Sequence, residues 1–232
     1  MSFTTIHESA DDAVAEIGDG ATLLIGGFGL AGMPFDLIDA LVRQGSRDLT
    51  VVSNNAGNGE VGIAALLKAE RVRKIVCSFP RQSDSFVFDE LYRTGRVELE
   101  LVPQGNLAER IRAAGAGIGA FFCPTGVGTP LAEGKESRTI GDRTYLLEYP
   151  ISGDFALIAA DTADSAGNLV YRKTARNFGP VMATAATTTI AQARRIVCSG
   201  QLDPEAVVTP GIYVDDLVQI PRPRSPIGGA AP

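Results

Sequence analysis

One pattern constrains the fold more than any other: short apolar segments alternate with amphipathic segments through the first half of the chain. Ala21–Ile25 is a short apolar strand, and Phe35–Arg43 carries its apolar residues on one helical face. Asp48–Ser53 is again a strand candidate, apolar at Leu49, Val51 and Val52. A strand, a helix and a strand in close succession predict a βαβ unit with two buried parallel strands. The sequence therefore predicts an α/β fold, with an open and mostly parallel sheet flanked by helices.

The same alternation continues to about residue 122, and a different pattern follows it. Further helix and strand pairs are predicted at Val61–Glu70 and Lys74–Phe79, Ser83–Tyr92 and Val97–Val102, and Asn106–Ala113 and Ala120–Phe122. A short helix at Ser9–Glu16 precedes them, with Ser9 as its N-cap. In the second half we expect a hairpin over Thr139–Glu148 and strands over Phe155–Ala160, Leu169–Tyr171, Arg195–Cys198 and Ile212–Leu217. The segment Ala185–Ala191 is ambiguous, because three consecutive threonines oppose a helix.

Domain boundaries follow from composition. Residues 1–220 are predicted to form one domain, which is long enough to bury a core without disulfides. Residues 221–232 are rich in Pro, Gly, Ser and Ala, and we expect a disordered tail there. The N-terminal segment has no basic stretch followed by an apolar run, and no segment is long enough to span a membrane, so we expect a cytoplasmic protein.

Charge and rare residues exclude several classes of function. The chain has 21 Lys and Arg against 27 Asp and Glu, and this net charge of −6 argues against nucleic-acid binding. His7 is the single histidine, which argues against a Ser-His-Asp hydrolase and a multi-histidine metal site. Cys77, Cys123 and Cys198 lie far apart in the sequence, so we expect neither disulfides nor a zinc site. Such sparse cysteines are typical of a protein in a reducing compartment.

A glycine-rich loop follows the first buried strand. Residues 27–32, Gly-Phe-Gly-Leu-Ala-Gly, match the G-x-G-x-x-G pattern of dinucleotide sites. That interpretation also requires a carboxylate about 20 residues later, at the end of the second strand. Ser53, Asn54 and Asn55 stand there instead, which disfavours NAD. The glycines either form a tight turn or let the backbone approach another ligand, and their density favours the ligand.

Polar side chains follow three of the predicted strands. Asn54 and Asn55 come directly after one strand, Gln104 follows another, and Arg81 follows a third. Parallel strands end at the same edge of a sheet, where open α/β folds bind their ligands. The amides could donate hydrogen bonds to a carboxylate or a thioester oxygen, and Arg81 could pair with a carboxylate. The alternatives are that Asn serves the turns and that Arg81 is solvated.

Taken together, these segments resemble the α subunit of the family I CoA-transferases. The resemblance rests on Asp19–Pro34, Ser53–Asn55, Pro103–Arg112, Pro124–Gly126, Ala132–Lys135, Gly153–Ala156 and Arg172–Phe178. It extends over nearly the whole chain before the predicted tail. Two further stretches, Asn54–Leu67 and Cys77–Tyr92, are similar to the branch of the family that acts on 3-oxoadipate rather than acetoacetate.

The resemblance implies a three-layer αβα fold and a reaction. Enzymes of this family move CoA from succinyl-CoA to a 3-oxo acid, through a glutamyl thioester formed on a nucleophilic glutamate. In the family this glutamate lies in a Ser-Glu-Asn-Gly motif, which this chain lacks; Glu60 and Glu133 have a different context. The resemblance therefore implies a separate β subunit in an α2β2 assembly, with the CoA thioester as a substrate and no permanently bound cofactor or metal.

The resemblance also implies roles for individual residues. The proposed CoA-contacting loop consists of Gly26, Gly27, Phe28, Gly29, Leu30, Ala31 and Gly32. Asn54 and Gln104 would line the acyl site, with Asn55 assisting them. Arg81 is assigned separately: the acceptor 3-oxoadipate has a second carboxylate that needs a counter-charge, and we expect Arg81 to supply it. The reaction would belong to the catabolism of aromatic compounds. A basic cluster, Arg172, Lys173 and Arg176, faces either a partner, solvent or the CoA phosphates. The alternatives are an acetoacetate-specific α subunit, a dinucleotide-binding oxidoreductase and a non-catalytic binding subunit.

Overall fold

A computed structural model describes residues 4–223 of the chain. The strands are β1 (Thr5–His7), β2 (Thr22–Ile25), β3 (Leu49–Val52), β4 (Val72–Cys77), β5 (Glu98–Leu101), β6 (Phe121–Cys123), β7 (Ser137–Ile140), β8 (Arg143–Glu148), β9 (Gly153–Asp164), β10 (Leu169–Val170), β11 (Ala186–Val197) and β12 (Asp216–Gln219). The helices are α1 (Ala10–Ala13), α2 (Phe35–Gln44), α3 (Ile63–Lys68), α4 (Phe86–Arg93), α5 (Gln104–Gly115) and α6 (Gly179–Ala183). None of the helices within residues 4–223 has the length and apolar character that a membrane span requires.

A large sheet forms the centre of the molecule. Its strand order is β1-β12-β11-β9-β2-β3-β4-β5, and β10 adds to β9. Every pairing in it is parallel except the β9–β10 pairing. From β2, successive strands β3, β4 and β5 are added toward one edge of the sheet, whereas β9, β11 and β12 are added toward the other edge. The order in which strands are added therefore reverses between β2 and β9. Open α/β sheets place their ligands beside such a reversal, at the carboxyl ends of the strands.

Strand alternation divides the interior into two cores, one on each side of the sheet. On β2, Leu23 and Ile25 face the core shared with helices α1 to α4, whereas Leu24 faces the core shared with α5 and α6. Successive side chains on a strand point to opposite faces, so a strand apolar at every position must be covered on both sides. The predicted three-layer αβα architecture is confirmed.

The small strands β6, β7 and β8 form a second, antiparallel sheet in the order β6-β8-β7. The predicted hairpin is confirmed, since Ile140 pairs with Arg143 across a turn at Gly141 and Asp142. The strand predicted at Ala120–Phe122 is present as β6, but it joins this second sheet rather than extending the parallel one.

Several predicted boundaries needed correction. The ambiguous segment Ala185–Ala191 belongs to β11, which pairs with β9 over its whole length from Ala186 to Val197. The strand predicted at Ile212–Leu217 begins later, at Asp216, because Gly211–Tyr213 forms a 3₁₀ turn. The helix predicted at Ser9–Glu16 is shorter, although Ser9 caps it as expected by accepting a bond from the Asp12 amide at 3.1 Å. The predicted tail lies largely outside the described residues, beyond residue 223.

Candidate functional site

Four loops meet at the carboxyl edge of the parallel sheet, beside the reversal of strand order. They follow β2, β3, β4 and β5 and carry the glycine loop, the Asn54–Asn55 pair, Arg81 and Gln104. Backbone bonds continue the ladder into these loops: the Gly26 amide donates to the Leu157 carbonyl at 2.9 Å, and the Ser78 amide donates to the Asn54 carbonyl at 3.2 Å. The site is therefore built on the ends of rigid strands.

The glycine loop, residues 26–32, is a tight hairpin. Phe28 and Ala31 exchange backbone hydrogen bonds of 3.0 and 3.2 Å. Gly27 and Gly32 have positive φ angles of 127° and 73°, and a Cβ at either position would press on neighbouring atoms. Gly29 also has a positive φ, of 60°, but a Cβ there would meet open space. The fold explains Gly27 and Gly32, while the tip, with the exposed Phe28 and the partly exposed Gly29, is free to meet a ligand.

Asn177 holds the glycine loop from behind. Its Oδ1 accepts a hydrogen bond from the Gly27 amide at 3.1 Å, and its Nδ2 donates to the Ala31 carbonyl at 2.9 Å. The same Nδ2 donates to the Thr174 carbonyl at 2.7 Å, so the segment Lys173–Ala175 is tied to the loop. Because one side chain satisfies both sides of the hairpin, the loop is fixed before any ligand arrives.

Asn54 and Gln104, predicted on separate strands, are brought together. The Gln104 Nε2 donates to the Asn54 Oδ1 at 2.7 Å, and the Ser78 Oγ donates to the same oxygen at 3.0 Å. Asn54 is only 2% exposed, whereas Gln104 is exposed. With two donors on its Oδ1, the Asn54 amide is held in one orientation, which leaves its Nδ2 to donate to a ligand oxygen. This trio of Asn54, Gln104 and Ser78 is called the amide cluster below.

Asn55 has a different environment from Asn54. It is 1% exposed, and its Oδ1 accepts a hydrogen bond from the Gly57 amide at 2.8 Å, which forms the turn after β3. Its Nδ2 is buried and has no hydrogen-bond partner among residues 4–223. Asn55 thus shapes the loop that carries Asn54, and its predicted contact with substrate remains a prediction.

Arg81 lies further out, against α4. Its Nε is 2.6 Å from the Asp89 Oδ1, and its side chain is 60% exposed. The groove beside it is lined by Phe86, Tyr92 and Arg93 as well. The ion pair with Asp89 directs Arg81 toward α4 rather than toward the amide cluster, and its predicted contact with an acceptor carboxylate remains a prediction.

The start of α5, which carries Gln104, is anchored by a buried carboxylate. Glu148 is 2% exposed and accepts hydrogen bonds from the Asn106 Nδ2 at 2.9 Å and from the Lys135 Nζ at 2.6 Å. Arg110, further along α5, donates to the Tyr149 carbonyl at 2.6 Å. The second sheet is thereby fastened to the helix that presents Gln104.

The nucleophiles near this edge are not poised for attack. Burial raises the pKa of the Cys77 thiol to about 12, despite a lowering contribution from the Phe79 backbone, so it stays protonated. The Ser53 hydroxyl is fully buried and donates to the Ile25 carbonyl at 2.9 Å. Glu60 pairs with Lys68 at 2.7 Å, and both side chains are half exposed. None of these three side chains is therefore a favoured nucleophile, and the catalytic role predicted for a glutamate outside this chain remains a prediction.

Sequence reasoning missed two residues of this site. Ser78 and Asn177 lie in segments that the resemblance covered, but neither was given a role. Ser78 follows β4 directly, so its place after a buried strand was the signal that could have found it. Asn177 contacts the glycine loop from 150 residues away in sequence, and nothing local indicates that contact.

Comparison with known proteins gives one family. Residues 7–219 match the Coenzyme A transferase family. The chain is 65% identical over 214 residues to the A subunit of 3-oxoadipate CoA-transferase from Pseudomonas putida, covering 92% of this chain and 93% of that protein. It is 60% identical over 221 residues to the Acinetobacter baylyi protein of the same name, covering 95% and 96% of the two chains. The A subunit of a probable succinyl-CoA:3-ketoacid coenzyme A transferase from Bacillus subtilis is 51% identical, over 92% and 89%.

Solved structures share the fold. An acyl-CoA transferase apoenzyme from Escherichia coli O157:H7 superposes with a TM-score of 0.88 at 26% identity, covering all of this chain and 50% of that one. The chain therefore spans about half the length of the E. coli protein. Glutaconate coenzyme A-transferase from Acidaminococcus fermentans superposes with a TM-score of 0.82 at 19% identity, over 93% and 75% of the two chains.

Proposed function

Because the chain belongs to the Coenzyme A transferase family, we propose that it is the α subunit of an enzyme that moves CoA from succinyl-CoA to 3-oxoadipate. The observation that carries this choice of acceptor is the identity of 65% and 60% to two proteins named for that reaction. Both similarities extend over more than nine-tenths of this chain, including the segments on either side of the amide cluster.

The proposed reaction proceeds in two halves. A glutamate from the partner attacks the carbonyl of succinyl-CoA, and CoA leaves as the thiolate. The thiolate then attacks the glutamyl carbonyl of the mixed anhydride, which releases succinate and leaves a glutamyl-CoA thioester. In the second half, a carboxylate of 3-oxoadipate attacks this thioester. The released thiolate attacks the acceptor carbonyl of the new anhydride, forming 3-oxoadipyl-CoA and restoring the glutamate.

This chain supplies donors rather than the nucleophile. Negative charge develops on carbonyl oxygens at each step, and fixed amide donors stabilise it without reorganisation. The Asn54 amide is held by Gln104 and Ser78 in the orientation such a donor needs. The exposed tip of the glycine loop would contact the CoA ester nearby. CoA enters and leaves as a substrate in this account, with no permanently bound cofactor.

The relatives are named as A subunits, which implies that a second kind of subunit completes the enzyme. We place this partner on the carboxyl edge, in an α2β2 assembly. Phe28, Phe79 and Phe86 support this placement, because all three are between 51% and 57% exposed there. Large apolar side chains grouped on one edge are typical of a protein contact. Three free cysteines suit the cytoplasmic location that we also propose.

The acceptor can be tested with the chain co-expressed with its partner. With succinyl-CoA as the donor, we expect kcat/KM for 3-oxoadipate to exceed that for acetoacetate by at least about tenfold, since a second carboxylate adds a charge-assisted bond worth about 1.5–3 kcal/mol. Equal or better use of acetoacetate would instead assign the chain to the succinyl-CoA:3-ketoacid branch, which the B. subtilis relative represents.

The role of Arg81 belongs to the same experiment. Replacing Arg81 with Ala should lower kcat/KM for 3-oxoadipate by about tenfold while changing the acetoacetate value little, because only 3-oxoadipate has a distal carboxylate to pair. The Asp89→Asn variant is a matched control. It removes the ion pair of 2.6 Å between Asp89 and Arg81 but keeps the positive charge of Arg81. An equal loss with both acceptors would remove Arg81 from acceptor recognition.

A further inference from the structure

A second charged feature lies on the carboxyl edge, on the other side of the strand-order reversal. A shallow groove is lined by Asp161, Thr162, Arg172, Arg194, Arg195 and Pro221. It brings three guanidinium groups beside one carboxylate, in a protein whose net charge is −6. This set of residues is called the arginine groove below.

The groove is built by strands that run past the end of β2. Strand β2 ends at Ile25, which pairs with Leu157 on β9, whereas the groove begins at Asp161 on the same strand. At roughly 3.3 Å per residue, this places the groove about 13 Å beyond the end of β2. Arg195 of β11 pairs with Thr162 of β9, so two neighbouring strands form its floor.

A short segment connects the groove with the glycine loop. Arg172 lines the groove, and Asn177, only a few residues later, holds both sides of the glycine hairpin. Between them, Lys173 adopts a positive φ of 51°, which is uncommon for a residue with a side chain. The two features thus lie on one edge and share one connecting segment.

The arginines of the groove are available to a ligand. Arg194 approaches Asp161 only to 3.9 Å, and Arg172 and Arg195 are exposed and form no ion pair with any other residue between 4 and 223. A guanidinium presents parallel N–H donors that match two oxygens of a phosphate group. Two unpaired guanidinium groups and a third with one long ion pair, around one concave surface, favour a ligand with more than one phosphate oxygen.

We propose that the arginine groove binds the phosphate groups of an organic phosphate ligand. Two sources share this chemistry. One is the phosphate-bearing end of CoA, whose acyl end would lie at the glycine loop; this source rests on the proposed function. The other is a free adenine nucleotide that binds independently of the reaction. The groove is thus a second ligand-binding region, distinct from the amide cluster.

The test uses the full chain in complex with its partner and a pair of charge-matched variants. Arg172→Ala/Arg195→Ala removes two charges from the groove, and Arg138→Ala/Arg143→Ala removes two from the second sheet. Adenosine 3′,5′-bisphosphate, ATP and inorganic pyrophosphate are titrated calorimetrically at low and high salt. We expect at least one organic phosphate to bind the wild type and the control, and to bind the groove variant about 10-fold or more weakly. This affinity should fall as salt is raised.

Steady-state kinetics of the complex distinguish CoA from a free adenine nucleotide as the source of the phosphate groups. If CoA is the source, the groove variant raises KM for succinyl-CoA with little change in kcat or in KM for the acceptor. If only ATP binding is lost and the kinetics are unchanged, the source is the free nucleotide. The calorimetric titration needs no turnover, so its result tests phosphate binding even if the proposed reaction is wrong. Partial recovery of binding by Arg172→Lys/Arg195→Lys supports a charge role.

Two results would overturn the proposal. One is equal affinity of wild type and groove variant for every phosphate probe. The other is a groove variant that fails to co-purify with the partner while the control does so, which would make the groove a contact between subunits.

Discussion

Gly29 and Gly32 belong to the same hairpin, but a side chain would have different surroundings at the two positions. Gly32 has a φ of 73°, and a Cβ there would lie 2.7 Å from the Ala175 carbonyl oxygen and 3.0 Å from the Asn177 Nδ2. Gly29 has a φ of 60°, and a Cβ there would lie more than 4 Å from every described heavy atom other than those of Gly29 and its two chain neighbours. Packing requires the first glycine, whereas the second lies beside open space, at the tip of the loop for which we propose a CoA contact.

This difference gives a paired prediction. Gly29→Ala should lower the free energy of unfolding by only about 1 kcal/mol, the cost of a left-handed alanine. It should nevertheless raise KM for succinyl-CoA, because the new methyl occupies the tip of the loop. Gly32→Ala should cost more, about 2–4 kcal/mol, because backbone must also move. Urea unfolding and steady-state kinetics of the complex measure both. Wild-type kinetics for Gly29→Ala would mean that the loop is a turn and nothing more.

Gln104 provides the other test at the residue scale. Its Nε2 bond to Asn54 is 2.7 Å long, and removing it frees one lone pair of the Asn54 Oδ1. If the amide cluster stabilises developing charge, Gln104→Ala should lower kcat by about tenfold, because it loosens the Asn54 donor; losing that donor itself would cost about 10²-fold. Gln82→Ala is the control, because Gln82 accepts a bond from Asn58 in the neighbouring loop at 2.6 Å. A kcat within a few-fold of wild type for Gln104→Ala would remove the amide cluster from the chemistry.

At the scale of elements, a chain of ion pairs joins the sheet to α5. Glu100 on β5 contacts Lys74 on β4 at 2.6 Å and Arg110 on α5 at 3.2 Å. Burial alone would raise the pKa of the Glu100 carboxyl, but the hydrogen bonds and charges of Lys74 and Arg110 outweigh it and hold the pKa below its usual value of 4.5. The native state therefore favours the ionised carboxylate more than the unfolded chain does.

The sign of the pH effect follows from this shift. The contribution of Glu100 to stability is fully present above about pH 4.5 and is lost as the pH falls below that value, toward the lower folded-state pKa. Glu100→Gln should therefore make the free energy of unfolding less steeply dependent on pH in that acid range. Glu109→Gln is the control, because within residues 4–223 Glu109 pairs with the exposed Arg112 of the same helix and with no other charged residue. Identical slopes for wild type and Glu100→Gln in urea unfolding would contradict the assignment.

Local sequence patterns predicted the elements that carry their own signal. Helix α2 has helical spacing of its apolar residues and is capped by Gly45, which has a φ of 101° and donates to the Leu41 carbonyl. Both its buried face and its C-terminal end could therefore be predicted from the sequence. Strand β11 was ambiguous because its threonines are explained only by pairing with β9 and β12. The placement of β6 in a second sheet depends on its partner β8, and no pattern within three residues could reveal it.

The residues of the site were likewise predictable only where they carry a local signal in the sequence. Asn54 and Gln104 were found because each follows a strand, and the topology brought them to 2.7 Å. The contact of Asn177 with Gly27 is set by the folding of distant segments and had no local signal. The dinucleotide alternative gains no support, because β3 ends in Ser53, Asn54 and Asn55, and the matched family is that of the CoA-transferases.

For the whole molecule, the proposed function assigns this chain one half of a catalytic site. The carboxyl edge carries fixed amide donors and three half-exposed phenylalanines, while the thiol of Cys77 is kept protonated by burial. The chain also spans only half of the E. coli acyl-CoA transferase with which it superposes. These observations together support a partner that supplies the nucleophile and closes the site.

The initial rate of CoA transfer from succinyl-CoA to 3-oxoadipate, measured for this chain alone and for the chain with its partner at equal concentration, shows which subunit carries the nucleophile. We expect no transfer above the uncatalysed background for the chain alone, and full activity once the partner is added, because the proposed function places the glutamate that forms the thioester on the partner. Sustained turnover by this chain alone would show that it contains its own nucleophile and would contradict the account.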